Sequence, residues 1–169
     1  MNVSDEILPI SAEKKPKIQA LLDREFGPGR HVRMAERLRE KSSELENLGF
    51  MTVDGDNQLV AAISYWSIDI GGLEGALLGP LVVHGDRQGQ GLGRALMQHS
   101  LALADQAGIA YILLIGDLPY YQICGFEPAP AGLVFPAPVD PNRVLIRWSG
   151  APQLLAGQVE GKKKHQTGE

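Results

Sequence analysis

The sequence predicts an α+β fold built on a central mixed, mainly antiparallel sheet. Two observations carry that expectation. Residues 76–116 read as strand, glycine-rich loop, amphipathic helix and strand. Such a βαβ unit makes its two strands parallel, with a right-handed crossover. Before it, apolar segments are joined by the turn sequences "DGDN" (54–57) and "GGLEG" (71–75), as in antiparallel hairpins. The mixture argues against a doubly wound sheet.

Taken in order, "EILPIS" is a short strand, after which Ser11 can cap a helix. That helix carries Ile18, Leu21, Leu22 and Phe26 at helical spacing, and "FGPGRH" (26–31) ends it. A second, more polar helix turns Met34, Leu38 and Leu45 inward. Arg30, Arg33 and Arg37 line another face of it. "FMTVD" and "QLVAAISYWSIDI" are strands, and "ALLGPLVV" is a fourth. The glycine loop leads to a helix from about Leu92 to Gln106, ended near Gly108, with Leu92, Ala95, Leu96, His99, Ala102 and Leu103 as its inward stripe. "AYILLIG" (110–116) is apolar throughout, as in a strand buried on both faces. A helical turn "LPYYQIC", a proline-rich stretch and the strand "RVLIRW" (143–148) follow.

Composition narrows the function classes. The 169 residues carry a net charge of −4, which argues against a general nucleic-acid partner. The apolar runs are too short for a membrane span, and the N-terminus lacks the pattern of a secretory signal. One cysteine, Cys124, supplies neither a disulfide nor a metal-ligand set, so a cytoplasmic location and no metal are expected. Residues 1–150 are expected to form a single domain, and the polar, charged stretch 151–169 a flexible tail.

The chemistry is concentrated in "DRQGQGLGRALM" (86–97), where Gly89, Gly91 and Gly93 alternate just before a helix. A helix N-terminus presents unpaired N–H groups and a positive dipole end, so it attracts phosphate. Arg87 and Arg94 add positive charge. A P-loop would need Gly-Lys-Ser/Thr, but this loop ends Gly93-Arg94-Ala95. A dinucleotide fingerprint would need a glycine where Arg94 stands, in an opening βαβ unit.

"QGQGLG" (88–93) fits the pattern Q/R-x-x-G-x-G/A, and "YYQICGF" (120–126) fits aromatic-Tyr-x-x-x-Gly-Phe. With these two motifs flanking a βαβ unit, the chain resembles the GNAT superfamily of N-acetyltransferases. The resemblance covers the element order over roughly residues 5–149. It implies a three-layer α/β/α fold whose sheet splays between strands 4 and 5, with acetyl-CoA (coenzyme A) as cofactor in the gap. Gly79-Pro80 offers a cause for the splay, since Pro80 cannot donate a ladder hydrogen bond. By resemblance, Leu81, Val82 and Val83 pair with the pantetheine arm. Gln88, Gly89, Gln90, Gly91, Leu92, Gly93 and Arg94 cradle the pyrophosphate through their backbone.

The implied reaction is transfer of an acetyl group to an amine, by direct attack in a ternary complex. Tyr121 is the implied general acid for the leaving thiolate, with Tyr120 its packing partner. A main-chain amide near Leu81 is the implied donor to the thioester oxygen. The base is less defined. Ala76, Leu77 and Leu78 stand where some members of the family place a glutamate, which leaves Glu74, Asp117 or a water chain. Asp117 can equally be an N-cap. The segment "GDLPYYQICGF" is shorter than in many relatives. Cys124 reads as a small buried residue and His99 as a packed one. The implied acceptor is a small-molecule amine or a peptide amine, and a homodimer is left open. The alternative function is a non-catalytic acyl-CoA binding module on the same fold.

Overall fold

The computed structural model describes residues 1–164. Nine strands occur among them. They are β1 (Glu6–Pro9), β2 (Phe50–Val53), β3 (Leu59–Ile70), β4 (Leu73–Val83), β5 (Tyr111–Ile115), β6 (Glu127–Pro128), β7 (Leu133–Val134), β8 (Val144–Trp148) and β9 (Gly157–Gly161). The α-helices are α1 (Lys15–Phe26), α2 (Met34–Glu40), α3 (Leu92–Gln106) and α4 (Leu118–Tyr121). The main sheet runs β1-β2-β3-β4-β5-β8-β6, and only β4 and β5 are parallel along that path. This is the expected mixed, mainly antiparallel sheet.

Period-two alternation sorts the side chains to two faces. Ala61, Ile63 and Tyr65 of β3 pack with Leu92, Leu96, Met97 and Leu101 of α3. Ala62 and Val82 turn the other way, to Ile18, Leu21 and Leu22 of α1. Ile68 and Leu77 meet Met34 and Leu38 of α2 on that second face. The sheet is thus the middle of three layers.

Several local expectations need correction. The buried face of α3 is Leu92, Gly93, Leu96, Met97, Ser100, Leu101 and Ala104. It is rotated from the expected stripe, and His99 is exposed with its ring edge against Phe50. The rotation serves a polar pair: Ser100 Oγ sits 2.6 Å from Tyr65 Oη in the core and donates to Leu96 O at 2.8 Å. Apolar periodicity could not show that a serine faces inward. Ser11 makes no side-chain cap; a 3-10 turn over Ala12–Lys14 precedes α1. The second helix stops at Glu40, so Leu45 is buried from the following loop.

Part of the expected tail is sheet. β9 pairs antiparallel with β3 and parallel with β7, burying Leu155 and Val159. Residues 165–169 of that tail lie outside the described residues. A Cβ on Gly161 would lie 2.7 Å from Leu38 O, Lys41 C and Ser42 Oγ, so β9 and the end of α2 approach at backbone distance. Gly161→Ala should therefore cost about 1–3 kcal/mol. A thermal scan should show the midpoint falling by about 3–10 °C; an unchanged midpoint would mean that β9 contributes nothing to holding α2.

Candidate active site

β4 is the element that makes room for a ligand. It pairs with β5 only at Ala76↔Ile112 and Leu77↔Leu113. Beyond Leu77 the two strands part, while β4 continues to Val83 against β3. The break coincides with a bulge: Ile63 faces Leu81 but Tyr65 faces Leu78, so Gly79-Pro80 carries one residue more than the partner strand. Gly79 has φ 136°, and its carbonyl accepts from Trp66 Nε1 at 2.7 Å. The break falls at Gly79-Pro80, where the sequence reading places it.

Two adjoining cavities of about 750 and 730 Å³ occupy the parting. They share Phe26, Leu81, Asp117, Tyr120 and Tyr121 in their walls. The second runs along Leu81, Val82 and Val83 to Gln88, Gly89, Gly91, Leu92, Gly93 and Arg94. Nine of the ten expected cofactor residues thus border one space. Gln90 does not; its Oε1 accepts from Arg87 Nε at 2.7 Å. Gln88 donates its side-chain amide to Val83 O at 3.2 Å, bracing the turn out of β4. Arg87 is fixed to the buried Asp5 carboxylate at 2.7 Å, tying β1's approach to the loop. That pair, helped by a backbone N–H from Asn2, offsets the burial of Asp5 and holds its carboxyl below the usual range.

Gly91 stands at the N-cap of α3 with φ 82°, and no side chain caps the helix. The N–H groups of its first turn therefore have no intrahelical acceptor. A Cβ on Gly89 or Gly91 would meet nothing within 4 Å, so the space before those amides is open. Gly93 is different: a Cβ there would lie 2.6 Å from Tyr120 Oη, so α3 and α4 touch through a missing side chain.

Tyr121 packs on Gly116, at whose position a Cβ would fall 2.4 Å from the ring. It meets Tyr120 and Phe126 edge to face, at 4.8 and 6.0 Å between ring centroids. Burial, with smaller contributions from Tyr120 and Asp117, pushes its phenol up to about 12. Burial also raises Tyr120 and the Cys124 thiol. Cys124 is half-buried rather than fully buried as expected, packed against the edge of the core, and a raised thiol is a poor nucleophile. The turn carrying this motif is clamped by Arg147. Its Nε donates to Cys124 O at 3.1 Å while both terminal nitrogens grip Asp105 of α3 at 2.8 Å.

The two carboxylate candidates separate. Asp117 borders both cavities, and its Oδ1 accepts from Arg143 Nε at 3.2 Å rather than capping α4. Glu74 lies at the opposite end of β4, exposed, and pairs with Lys162 at 3.1 Å. It borders neither cavity and is set aside as a base. Sequence reasoning missed Arg39 and Arg143, which line the first cavity, and Glu25, which accepts from Gly85 N at 2.9 Å beside the second.

A parted parallel strand pair, with an uncapped glycine-rich helix start on one side and a tyrosine turn on the other, is the arrangement the sequence resemblance implies for this fold. The chain belongs to the acetyltransferase (GNAT) family, whose family model matches residues 15–126. It is similar to an uncharacterized N-acetyltransferase, YhbS, of Escherichia coli, with 32% identity over 124 residues, 72% of this chain and 71% of the relative. The crystal structure of E. coli YhbS in complex with CoA superposes with a TM-score of 0.78 and 25% identity, covering 96% of this chain and 92% of that one. A GNAT family acetyltransferase of Brucella melitensis, in complex with acetyl-CoA, gives a TM-score of 0.70 at 25% identity, covering 94% and 96%. Among the described residues no helix is long and apolar enough to cross a membrane.

Proposed function

We propose that this chain transfers the acetyl group of acetyl-CoA to the amine of a small molecule or peptide, by direct attack in a ternary complex. The observation that carries the reading is a single run of wall from the β4 edge, through the open amides before Gly89 and Gly91, to Tyr121. Similar structures bound to CoA and acetyl-CoA support it.

The residues present fit such a ligand. The unpaired edge of β4 at Leu81, Val82 and Val83 suits an extended amide-bearing arm, as an added strand. The first-turn amides of α3, with Arg87 and Arg94 beside them, suit a pyrophosphate. Acetyl-CoA supplies an activated acyl carbon and a thiolate leaving group. Tyr121 holds a proton at Oη and delivers it to the sulfur as the carbon–sulfur bond breaks. The main-chain N–H near Leu81 donates to the carbonyl oxygen as negative charge builds there. Pro80 has no N–H to offer. Asp117 is the sequence candidate for base that borders the cavity, but Arg143 occupies its oxygen. The proton leaving the amine is therefore assigned to water at the open mouth. With its lone free cysteine, the protein is proposed to act in a reducing cytoplasm.

The phenol sets a pH signature. A pKa raised to about 12 keeps Tyr121 in its donor form throughout ordinary pH. The acceptor amine, with a pKa of about 10, is mostly protonated near neutrality. The rate constant kcat/KM for the acceptor should thus climb from about pH 6 to about pH 10 with no falling limb. A fall beginning near pH 8 would show that a group other than Tyr121 supplies the proton.

A further inference from the structure

We propose that the acceptor carries an anionic group, a carboxylate in the first instance, recognised by arginines on the wall of the first cavity. The inference rests on the acyl-transfer reading above and specifies its substrate class. That cavity leads from the parting of β4 and β5 away from the glycine loop, toward α2 and residues 138–143. It is therefore the acceptor's side of the site.

Its charged lining is four arginines, Arg30, Arg33, Arg39 and Arg143, against two carboxylates, Asp117 and Asp140. Both carboxylates are engaged. Asp117 accepts from Arg143, and Asp140 Oδ1 accepts from Asn142 N at 2.9 Å. Arg30 and Arg39 are held from behind by Asp23 at 2.8 Å and Glu36 at 2.6 Å, neither of which borders the cavity. Arg39 reaches the bulge itself, with Nη1 3.4 Å from where a Cβ on Gly79 would stand. Arg33 has no carboxylate partner among the described residues; its guanidinium lies over the Phe26 ring at 5.6 Å. A guanidinium within cation–π reach of an aromatic ring and without a carboxylate partner keeps its N–H donors free for a carboxylate.

The same field bears on the missing base. The guanidinium of Arg33, without a carboxylate partner among the described residues, disfavours the ammonium form of a nearby amine and favours the neutral form that attacks. A cationic polyamine would be repelled from it, whereas an amino acid or acidic peptide would be drawn in.

The test compares acceptors that differ only in the charge. At saturating acetyl-CoA, kcat/KM is measured for β-alanine and 6-aminohexanoate against their carboxamides. On protein saturated with CoA, calorimetry measures Kd for the N-acetyl derivatives of the same four. The carboxylates should win by about tenfold in both measurements, as one charge-assisted contact allows. In Arg33→Gln the carboxylate-to-carboxamide ratio should fall toward one, while acetyl-CoA binding in the same variant reports that the site is intact. Carboxamides that match or exceed the carboxylates, or carboxylates that fail to bind the CoA-saturated protein, overturn the inference and leave acyl transfer standing. Failure of acetyl-CoA itself to bind overturns the transfer reading, and this inference with it.

Discussion

Tyr121→Phe should lower kcat about 10²–10³-fold while leaving the Kd for acetyl-CoA within about twofold of the parent. The phenylalanine ring keeps the packing on Gly116 and the edge contacts with Tyr120 and Phe126. Only the hydroxyl is lost, so the variant should fold as the parent does. Without that proton the sulfur must depart as a thiolate in a site where burial already penalises charge, as the raised phenol shows. A loss of this size is about 3–4 kcal/mol in the barrier. Tyr120 borders the same space and could substitute in part, so the double variant should be slower still. An unchanged kcat in Tyr121→Phe would remove the proton-donor role and leave the rest of the site in place.

Gly91→Val should weaken acetyl-CoA binding at least about 100-fold. Two costs combine. A β-branched residue at φ 82° is strained by about 1–2 kcal/mol. Its side chain would also project into the open space before the α3 amides, where phosphate oxygens must come within hydrogen-bond reach. The control lies at the other end of the same helix. Gly108 has φ 73° and equally open surroundings, but borders neither cavity. Gly108→Val should carry similar backbone strain, visible as a lower melting temperature, with acetyl-CoA affinity retained. Equal losses of affinity in both variants would show that helix strain, not the cradle, is responsible.

What could be read from the chain follows from where the physics is local. The glycine loop and the break at Gly79-Pro80 are each written within a few residues, the βαβ unit in one continuous stretch around them, and each appears where its chemistry placed it. The errors lie where a distant partner decides. Ser100 faces inward because Tyr65, 35 positions away, needs a hydrogen bond. β9 looks polar in isolation, and only the free edge of β3 turns Val159 inward. The arginines show the same limit. Helical spacing grouped Arg30, Arg33 and Arg37 on one face, yet Arg30 lies in a 3-10 turn and Arg37 points to solvent. Arg39 and Arg143 take places beside Arg33 at the cavity because the bulge and the Asp117 turn bring them there. Glu74 lies away from both cavities for a simpler reason: it sits at the end of β4 remote from the parting.

The central claim, that the parted strands form a working acetyl-transfer site, is tested most directly by thiol release from saturating acetyl-CoA as the acceptor concentration is raised. The account predicts saturable release that depends on the acceptor, with one acetylated amine formed per thiol, and its near-abolition in Tyr121→Phe. Saturable acetyl-CoA binding with no acceptor-dependent thiol release, across both carboxylate-bearing and neutral amines, would contradict it and mark the protein as a non-catalytic acyl-CoA binding module.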